Sequence, residues 1–244
     1  MNKTFTTAFH DGKPFFRTLA YLLAVGVTSL PVQAGRPLAT DDAALVDAGA
    51  CQLETWIERG RDSRATWLNP GCNPFGRTEF AFGGARVRPD DAPGYTLRAW
   101  QIKQMLREHG AAHAGFALAL GGQRQHQGDA REVFLNGIAT FPLAGEARLL
   151  HVNLGGLRAR DADGRHVRAT WGLAYDAEVM SATRASLEIF GTSGERAHWQ
   201  FGLRHELVPG HVQLDASVGG AIGRWSETRL VTVGLVFVSP AFLR

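Results

Sequence analysis

Long apolar runs, cysteines and clusters of one charge are scarce in this 244-residue chain. After the first 34 residues, no segment has the roughly 20 consecutive apolar residues of a transmembrane helix. The net charge is +3, and residues 1–34 contribute +2 of it (three cations less one carboxylate), so nucleic-acid binding finds no support. Phosphate-binding loops, dinucleotide fingerprints and metal-ligand spacings are also missing, so we expect no cofactor and no metal.

The first 34 residues have the features of a cleaved signal peptide. Basic residues come first, a short apolar core follows at 19–27, and Val32-Gln33-Ala34 forms a small-residue cleavage site. The core is too short to cross a bilayer as a helix. We therefore expect export through the inner membrane and a mature chain that begins at Gly35.

From residue 51 onward, apolar and polar residues alternate in blocks of about ten, separated by turn-forming residues. Successive side chains of a strand point to opposite faces, so each block has one apolar face and one polar or small face. Twelve such blocks, an even number, predict an all-β fold, an antiparallel transmembrane β-barrel of about 12 strands over 51–244. The blocks lie near 51–60, 62–69, 77–88, 94–107, 112–123, 131–141, 146–159, 165–175, 182–192, 196–207, 210–221 and 228–238.

The same alternation would suit a soluble barrel with an apolar interior, so the polar residues decide between the two. Polar side chains such as Glu54, His151 and Asn153 lie in the middle of strands, and no long loop or helix candidate is available to cap an apolar pocket. We therefore favour an outer-membrane barrel with a polar lumen, in contact with outer-membrane lipid and with the barrel-insertion machinery. The alternative is a soluble periplasmic ligand binder. The residues expected to face lipid include Leu150, Val152, Leu154, Leu187, Ile189, Leu203, Leu214 and Val233.

Cys51 and Cys72 are the only cysteines. In an oxidising periplasm a disulfide between them is the first expectation, and closing a loop of about 20 residues stabilises by roughly 3 kcal/mol. Two free thiols or half a metal site are the alternatives, although no His or Asp stands at ligand spacing beside them. If the first strand leaves the periplasm, both cysteines lie at the periplasmic end, and longer loops at 123–131 and 160–165 lie outside.

The start of the mature chain resembles a known group of exported bacterial proteins. Residues 36–42 read R-P-L-A-T-D-D, Gln52 to Glu54 reads Q-L-E, and residues 69–74 read N-P-G-C-N-P before Thr78-Glu79. In these motifs the chain resembles an outer-membrane transporter-like β-barrel family named after the meta-cleavage pathway of phenol degradation. The resemblance covers about fifty residues and implies a channel for small solutes, aromatic or hydrophobic ones among them.

The segment 35–50 precedes the first strand and is too polar to lie in lipid. Asp41 and Asp42 form a carboxylate pair that could bind a cation, act as acid and base, or pair with arginine. We expect this segment to be a partial plug, with its aspartates held by lumenal arginines. The lumen and plug candidates are Asp41, Asp42, Arg158, Arg168, Glu188, Arg204 and Asp215.

An enzyme acting on lipid is the main competing function. Outer-membrane lipases place Ser, His and Asn on strands, and this chain has His151 and Asn153 on one face, with Ser186 and Ser217 elsewhere. No serine stands close to His151 on its own strand, so we expect lumenal polar filling and no enzyme. The predicted function is a channel for small solutes, and a structural barrel with a closed lumen is the third alternative.

Overall fold

The computed structural model describes residues 38–126, 128, 130–161 and 164–243, and the expected signal peptide lies outside them. In this part of the chain twelve strands and one short helix form. No helix there is long and apolar enough to cross a membrane. The elements are β1 (Cys51–Arg59), β2 (Ser63–Cys72), β3 (Thr78–Pro89), β4 (Tyr95–Arg107), β5 (Gly115–His126), β6 (Arg131–Pro142), β7 (Arg148–Asp161), β8 (Gly164–Met180), β9 (Thr183–Thr192), β10 (His198–Val208), β11 (Val212–Ala221), α1 (Trp225–Thr228) and β12 (Leu230–Val238).

The strands close into one antiparallel barrel, which confirms the predicted fold class. Each strand pairs with its neighbours in sequence, and β1 pairs with β12 to complete the ring. Closure leaves no sheet edge unpaired, so every strand can satisfy its backbone hydrogen bonds without water. We call the end that holds Cys51, Cys72 and Val238 the terminal end, and the other end the opposite end.

Apolar side chains cover the outside of the barrel, and polar side chains fill the inside. Leu154, Leu187 and Val233 are more than half exposed, while their neighbours Asn153, Glu188 and Thr232 are buried. In a soluble barrel this distribution would be reversed. The predicted lipid-facing set lies on the outer face throughout, with Leu150 and Val152 partly exposed and the others exposed.

The apolar band is close in height to the band of outer-membrane barrels. On β6 the outward run extends from Val133 to Phe141 without a charged residue. Eight steps of about 3.4 Å, tilted by about 40°, rise roughly 20 Å along the barrel axis. An outer-membrane barrel has an apolar band about 25 Å tall, so the dimensions agree with a membrane-spanning wall.

A Leu154→Arg substitution is expected to destabilise the folded barrel in lipid by about 2–4 kcal/mol, because it places a guanidinium near the middle of the apolar band. Val179→Arg, at the terminal end of β8, is the matched control and should cost about 0–1 kcal/mol. Equilibrium unfolding in phospholipid vesicles measures both. Equal costs at the two positions would contradict the membrane placement of Leu154.

The two cysteines form the expected disulfide. Cys51 and Cys72 lie directly opposite each other in the pairing of β1 with β2, and they are bonded. The bond closes a loop of 21 residues at the terminal end. Replacing both cysteines by serine should lower the free energy of unfolding by about 3 kcal/mol in the chain-entropy model. Heat-modifiable mobility in gel electrophoresis should nevertheless show a closed barrel, and its loss would contradict this expectation.

The connections differ from the expected lengths. Strands β7 and β8 pair as far as Asp161 and Gly164, so the longer outer loop expected at 160–165 is wrong. Strand β5 likewise extends to His126, which shortens the loop expected at 123–131. Polar residues at strand ends do not signal a loop when the strands continue beyond the apolar band, because water satisfies their side chains there.

Candidate functional site

The chain before β1 folds back into the lumen. We call residues 38–50 the N-terminal segment. Glu188, on the inner face of β9, accepts the backbone N–H groups of Ala39 and Thr40, each at 2.7 Å, with its two carboxylate oxygens. Beside it, Leu38 packs against Ala174 of β8. A segment without regular structure must find partners for its buried N–H groups, and Glu188 supplies two of them.

Asn153 binds the next residue as a strand backbone would. Its Oδ1 accepts the N–H of Asp41 at 2.7 Å, and its Nδ2 donates to the carbonyl oxygen of Asp41 at 2.8 Å. Asn136 of β6 donates to the same Oδ1 at 2.9 Å and so orients the amide. Both backbone groups of Asp41 are therefore satisfied by one side chain.

Two further polar residues bind the N-terminal segment, one at its middle and one where it leaves the lumen at the terminal end. Thr140 of β6 accepts the N–H of Ala43 at 2.9 Å and lies 3.0 Å from Nδ1 of His151. At the terminal end, Glu79 of β3 accepts the N–H of Val46 at 3.0 Å. The segment therefore enters at the terminal end and extends to the middle of the barrel.

Lys103 binds the carboxylate pair. Its Nζ is 2.7 Å from Oδ1 of Asp41 and 3.5 Å from Oδ1 of Asp42, and both Lys103 and Asp41 are almost fully buried. The expected pairing of these aspartates with lumenal arginines is therefore wrong: the cation is a lysine of β4. Lys103 is the only lysine after residue 13, and this rarity distinguishes it in the sequence.

The predicted arginines have other roles. Arg204 and Arg184 both bind Asp176 at the inner face, at 2.7 and 2.8 Å. Arg168 faces the lumen near the opposite end, where it pairs with Glu195. The prediction that Arg158 lines the lumen is wrong. Arg158 lies on the same face of β7 as Leu154 and is exposed on the outside of the barrel.

Asp215 and Glu188 lie on the inner face, and both are buried. Asp215 lies opposite Arg204 in the pairing of β10 with β11.

The wall of the lumen is shaped to fit the segment. A Cβ at Gly172 of β8 would lie 2.6 Å from Oγ1 of Thr40. Since real Cβ contacts essentially never come below about 3.0 Å, a side chain at this position would displace the segment. Glycine at 172 therefore provides the space that Thr40 occupies.

The carboxyl groups of the segment share one ammonium. Burial raises the pKa of Asp41 to about 7, although the Lys103 ammonium opposes the shift. Burial also acts to raise the pKa of Asp42, but the charges of Lys103, His151 and Arg204, with the Ala44 N–H, hold it below its ordinary value. At neutral pH, Asp42 is the carboxylate that balances Lys103, and Asp41 is close to its titration point.

The residues considered for a lipid-acting hydrolase are not assembled at the lipid face. His151 is buried inside the barrel, and the hydroxyl beside it belongs to Thr140. Ser217 bonds to Thr232 at 2.7 Å on another part of the inner wall. Within the described ranges, no group of three His, Cys, Asp or Glu side chains is placed to hold a metal ion.

A closed twelve-stranded barrel with an apolar outer band and a polar, internally occupied lumen is the architecture of outer-membrane β-barrels. The chain belongs to the family described as "Uncharacterised conserved protein UCP029691", whose model matches residues 22–237. Among curated proteins, none matches the chain. The family match does not confirm the resemblance to the family named after the meta-cleavage pathway.

Solved structures of outer-membrane channels share the fold. The COG4313 outer membrane channel from Pseudomonas putida F1 superimposes with a TM-score of 0.62 at 12% identity, covering 85% of this chain and 100% of that one. The NanC porin gives 0.59 at 8% identity, covering 77% and 98%. The KdgM porin in complex with oligogalacturonate gives 0.58 at 8% identity, covering 76% and 98%. At such low identity these similarities establish the fold and leave the solute open.

Proposed function

We propose that this protein is an outer-membrane channel for small solutes in which the N-terminal segment acts as a partial plug. It reaches the outer membrane after removal of residues 1–34, with the terminal end toward the periplasm. The fold shared with porins and channels supports the channel, and the lumenal position of the segment supports the plug. The plug narrows the terminal half of the lumen, so passage requires its displacement.

The observation that carries this proposal is how the segment is attached. Polar side chains of five strands hold it, namely Glu79, Lys103, Thr140, Asn153 and Glu188. A hydrogen bond exchanged for one to water changes the free energy by only about 0.5–1.5 kcal/mol. The segment is thus held by polar contacts that can each be exchanged for water, whereas a lumen closed for stability alone would be filled by strand side chains.

Planar-bilayer recording tests the proposal on the mature protein and on a variant that lacks residues 35–46. The deletion keeps Asp47, whose carbonyl accepts the N–H of Ala50 before β1. We expect a small or intermittent conductance from the mature protein and a larger, steadier one from the deletion variant. The full-length Asp47→Asn variant is the control, because Asp47 is exposed, and it should behave as the mature protein does.

The remaining outcomes separate the alternatives. If neither protein conducts, the barrel is a structural one with a closed lumen and the channel is wrong. If both conduct equally, the channel stands and the plug is wrong.

Aromatic or hydrophobic solutes are the proposed cargo, as the resemblance implies. An apolar cluster on the inner face of β1–β4 supports this, in which the rings of Trp56 and Trp67 stack at 5.2 Å. Benzoate should therefore change tryptophan fluorescence in the mature protein and much less in a Trp56→Phe, Trp67→Phe variant. An equal change in both proteins would remove this solute class.

A further inference from the structure

Ten arginines point outward from β1–β8 near the opposite end of the barrel. Their positions alternate with inward-facing residues, and all ten are exposed on the same face as the apolar band or its continuation. We call this set the arginine belt: Arg59, Arg64, Arg86, Arg88, Arg98, Arg124, Arg131, Arg158, Arg160 and Arg165.

The strand register brings these like charges directly together. Arg131 lies opposite both Arg124 and Arg160. Arg124 also lies opposite Arg98, and Arg160 lies opposite Arg165, so one row of five arginines crosses β4–β8. Like charges directly opposite each other destabilise a sheet. Such a row therefore destabilises the isolated barrel, and anions bound from the surroundings would reduce the repulsion.

The described part of the protein supplies few of these anions. In the belt, Arg59 pairs with Asp90 at 2.9 Å, and Arg86 donates to the hydroxyl of Thr96 at 3.3 Å. Among the described residues, no ion pair is formed by Arg131 or Arg160. The belt thus presents a row of guanidinium groups to whatever surrounds the barrel.

The belt borders the apolar band at one end only. On β6, Arg131 precedes the outward residues Val133 and Leu135, which places it at the boundary between apolar and polar surroundings. At the terminal end, the described strands carry two outward-facing arginines, Arg107 and Arg148. The strand-borne charge is therefore concentrated at one membrane interface.

We propose that the arginine belt binds the phosphate groups of lipid headgroups in the outer leaflet of the outer membrane. The planar guanidinium group matches a phosphate with two parallel hydrogen bonds, and the dianion offsets the repulsion within the row. Every cation of the belt is arginine, while the one lysine of the barrel lies inside. The inference rests on the proposed membrane orientation, with the opposite end outward, and does not require that the barrel conduct.

Native mass spectrometry of the mature protein in detergent tests the proposal with lipid A as the probe. Lipid A with two phosphates should bind to the mature protein, and lipid A with the phosphates removed but the same acyl chains should bind much more weakly. An Arg131→Gln, Arg160→Gln variant should lose about tenfold or more in affinity for the phosphorylated form. Arg107→Gln with Arg148→Gln, the matched pair at the terminal end, should keep it.

Thermal melting separates lipid binding from a structural role. Without lipid, the Arg131→Gln, Arg160→Gln variant should be at least as stable as the mature protein, because two repelling charges are gone. With phosphorylated lipid A the mature protein should gain stability and this variant should gain less. A loss of stability without lipid would mean that these arginines are structural and would overturn the proposal.

Three other results would also overturn it: equal affinity for the two forms of lipid A, an equal loss in the terminal-end pair, or equally tight binding of free pyrophosphate. Conductance recorded on the same preparations keeps the two proposals apart. If the belt binds lipid A and the barrel does not conduct, only the channel proposal is wrong. If the barrel conducts and shows no preference for phosphorylated lipid A, only the proposal for the belt is wrong.

Discussion

In the proposed channel, a Lys103→Met substitution is expected to increase the conductance. The substitution leaves Asp41 and Asp42 in the lumen without their ammonium partner, which lies 2.7 Å and 3.5 Å from them. Removing one partner of a buried ion pair costs about 3–5 kcal/mol, because the remaining charge is uncompensated. Release of the plug avoids this cost, since both aspartates then reach water. Planar-bilayer recording should show a several-fold larger conductance than in the mature protein.

A triple variant decides whether this effect passes through the ion pair. Asp41→Asn and Asp42→Asn, added to Lys103→Met, remove the uncompensated charges while keeping the backbone contacts of Asp41 with Asn153. The triple variant should return toward the small conductance of the mature protein. If its conductance stays as large as that of Lys103→Met alone, the methionine acts by distorting β4, and the ion pair does not hold the plug in place.

Much of the barrel could be predicted because alternation with period two is a direct consequence of strand geometry. The faces of β7 show this, since His151 and Asn153 are buried inside while Leu154 is exposed outside. The ends of strands were harder to predict. β8 extends to Met180, five residues beyond the predicted block, and the alternation continues there through Asp176-Ala177-Glu178-Val179.

The plug was predicted from the need to place a polar segment, but its partners could not be. Alternation shows which face a residue occupies and says nothing about which inward residues meet across the lumen. Arg204 was a reasonable partner for Asp41, yet Asp176 of β8 binds it from a neighbouring part of the wall. The choice of Lys103 depends on how twelve strands curve around a common axis, which a single sequence does not reveal.

Side chains that bind backbone were missed for a related reason. Thr140 and Glu79 satisfy N–H groups of the N-terminal segment. Polar inward residues are common in any outer-membrane barrel, so nothing in their local pattern distinguishes an anchor from lumenal filling. The arginine belt was not predicted either, because the like charges that meet across strands are recognised only from the cross-strand register.

Plug release is also expected to depend on pH. Burial raises the pKa of Asp41 to about 7 in the docked plug, whereas an aspartate exposed to water by release titrates near 3.8. Between these two pKa values, the carboxyl group of Asp41 is protonated in the docked state and ionised in the released state. The contribution of Asp41 to docking is complete below about pH 4 and is lost as the pH rises through 7. The other charged groups that face this site are Asp42, Glu79, Lys103, His151, Glu188 and Arg204.

Conductance of the mature protein should accordingly rise between pH 5 and pH 8. These values lie roughly two units below and one unit above the pKa of Asp41 in the docked plug. Asp41→Asn resembles the protonated form, so it should keep the plug docked and flatten the pH dependence. Asp47→Asn is the control, because it removes an exposed carboxyl group of the same segment and should leave the full response. A response that survives unchanged in Asp41→Asn would assign the titration to another group of the lumen, with His151 and Glu188 the next to replace.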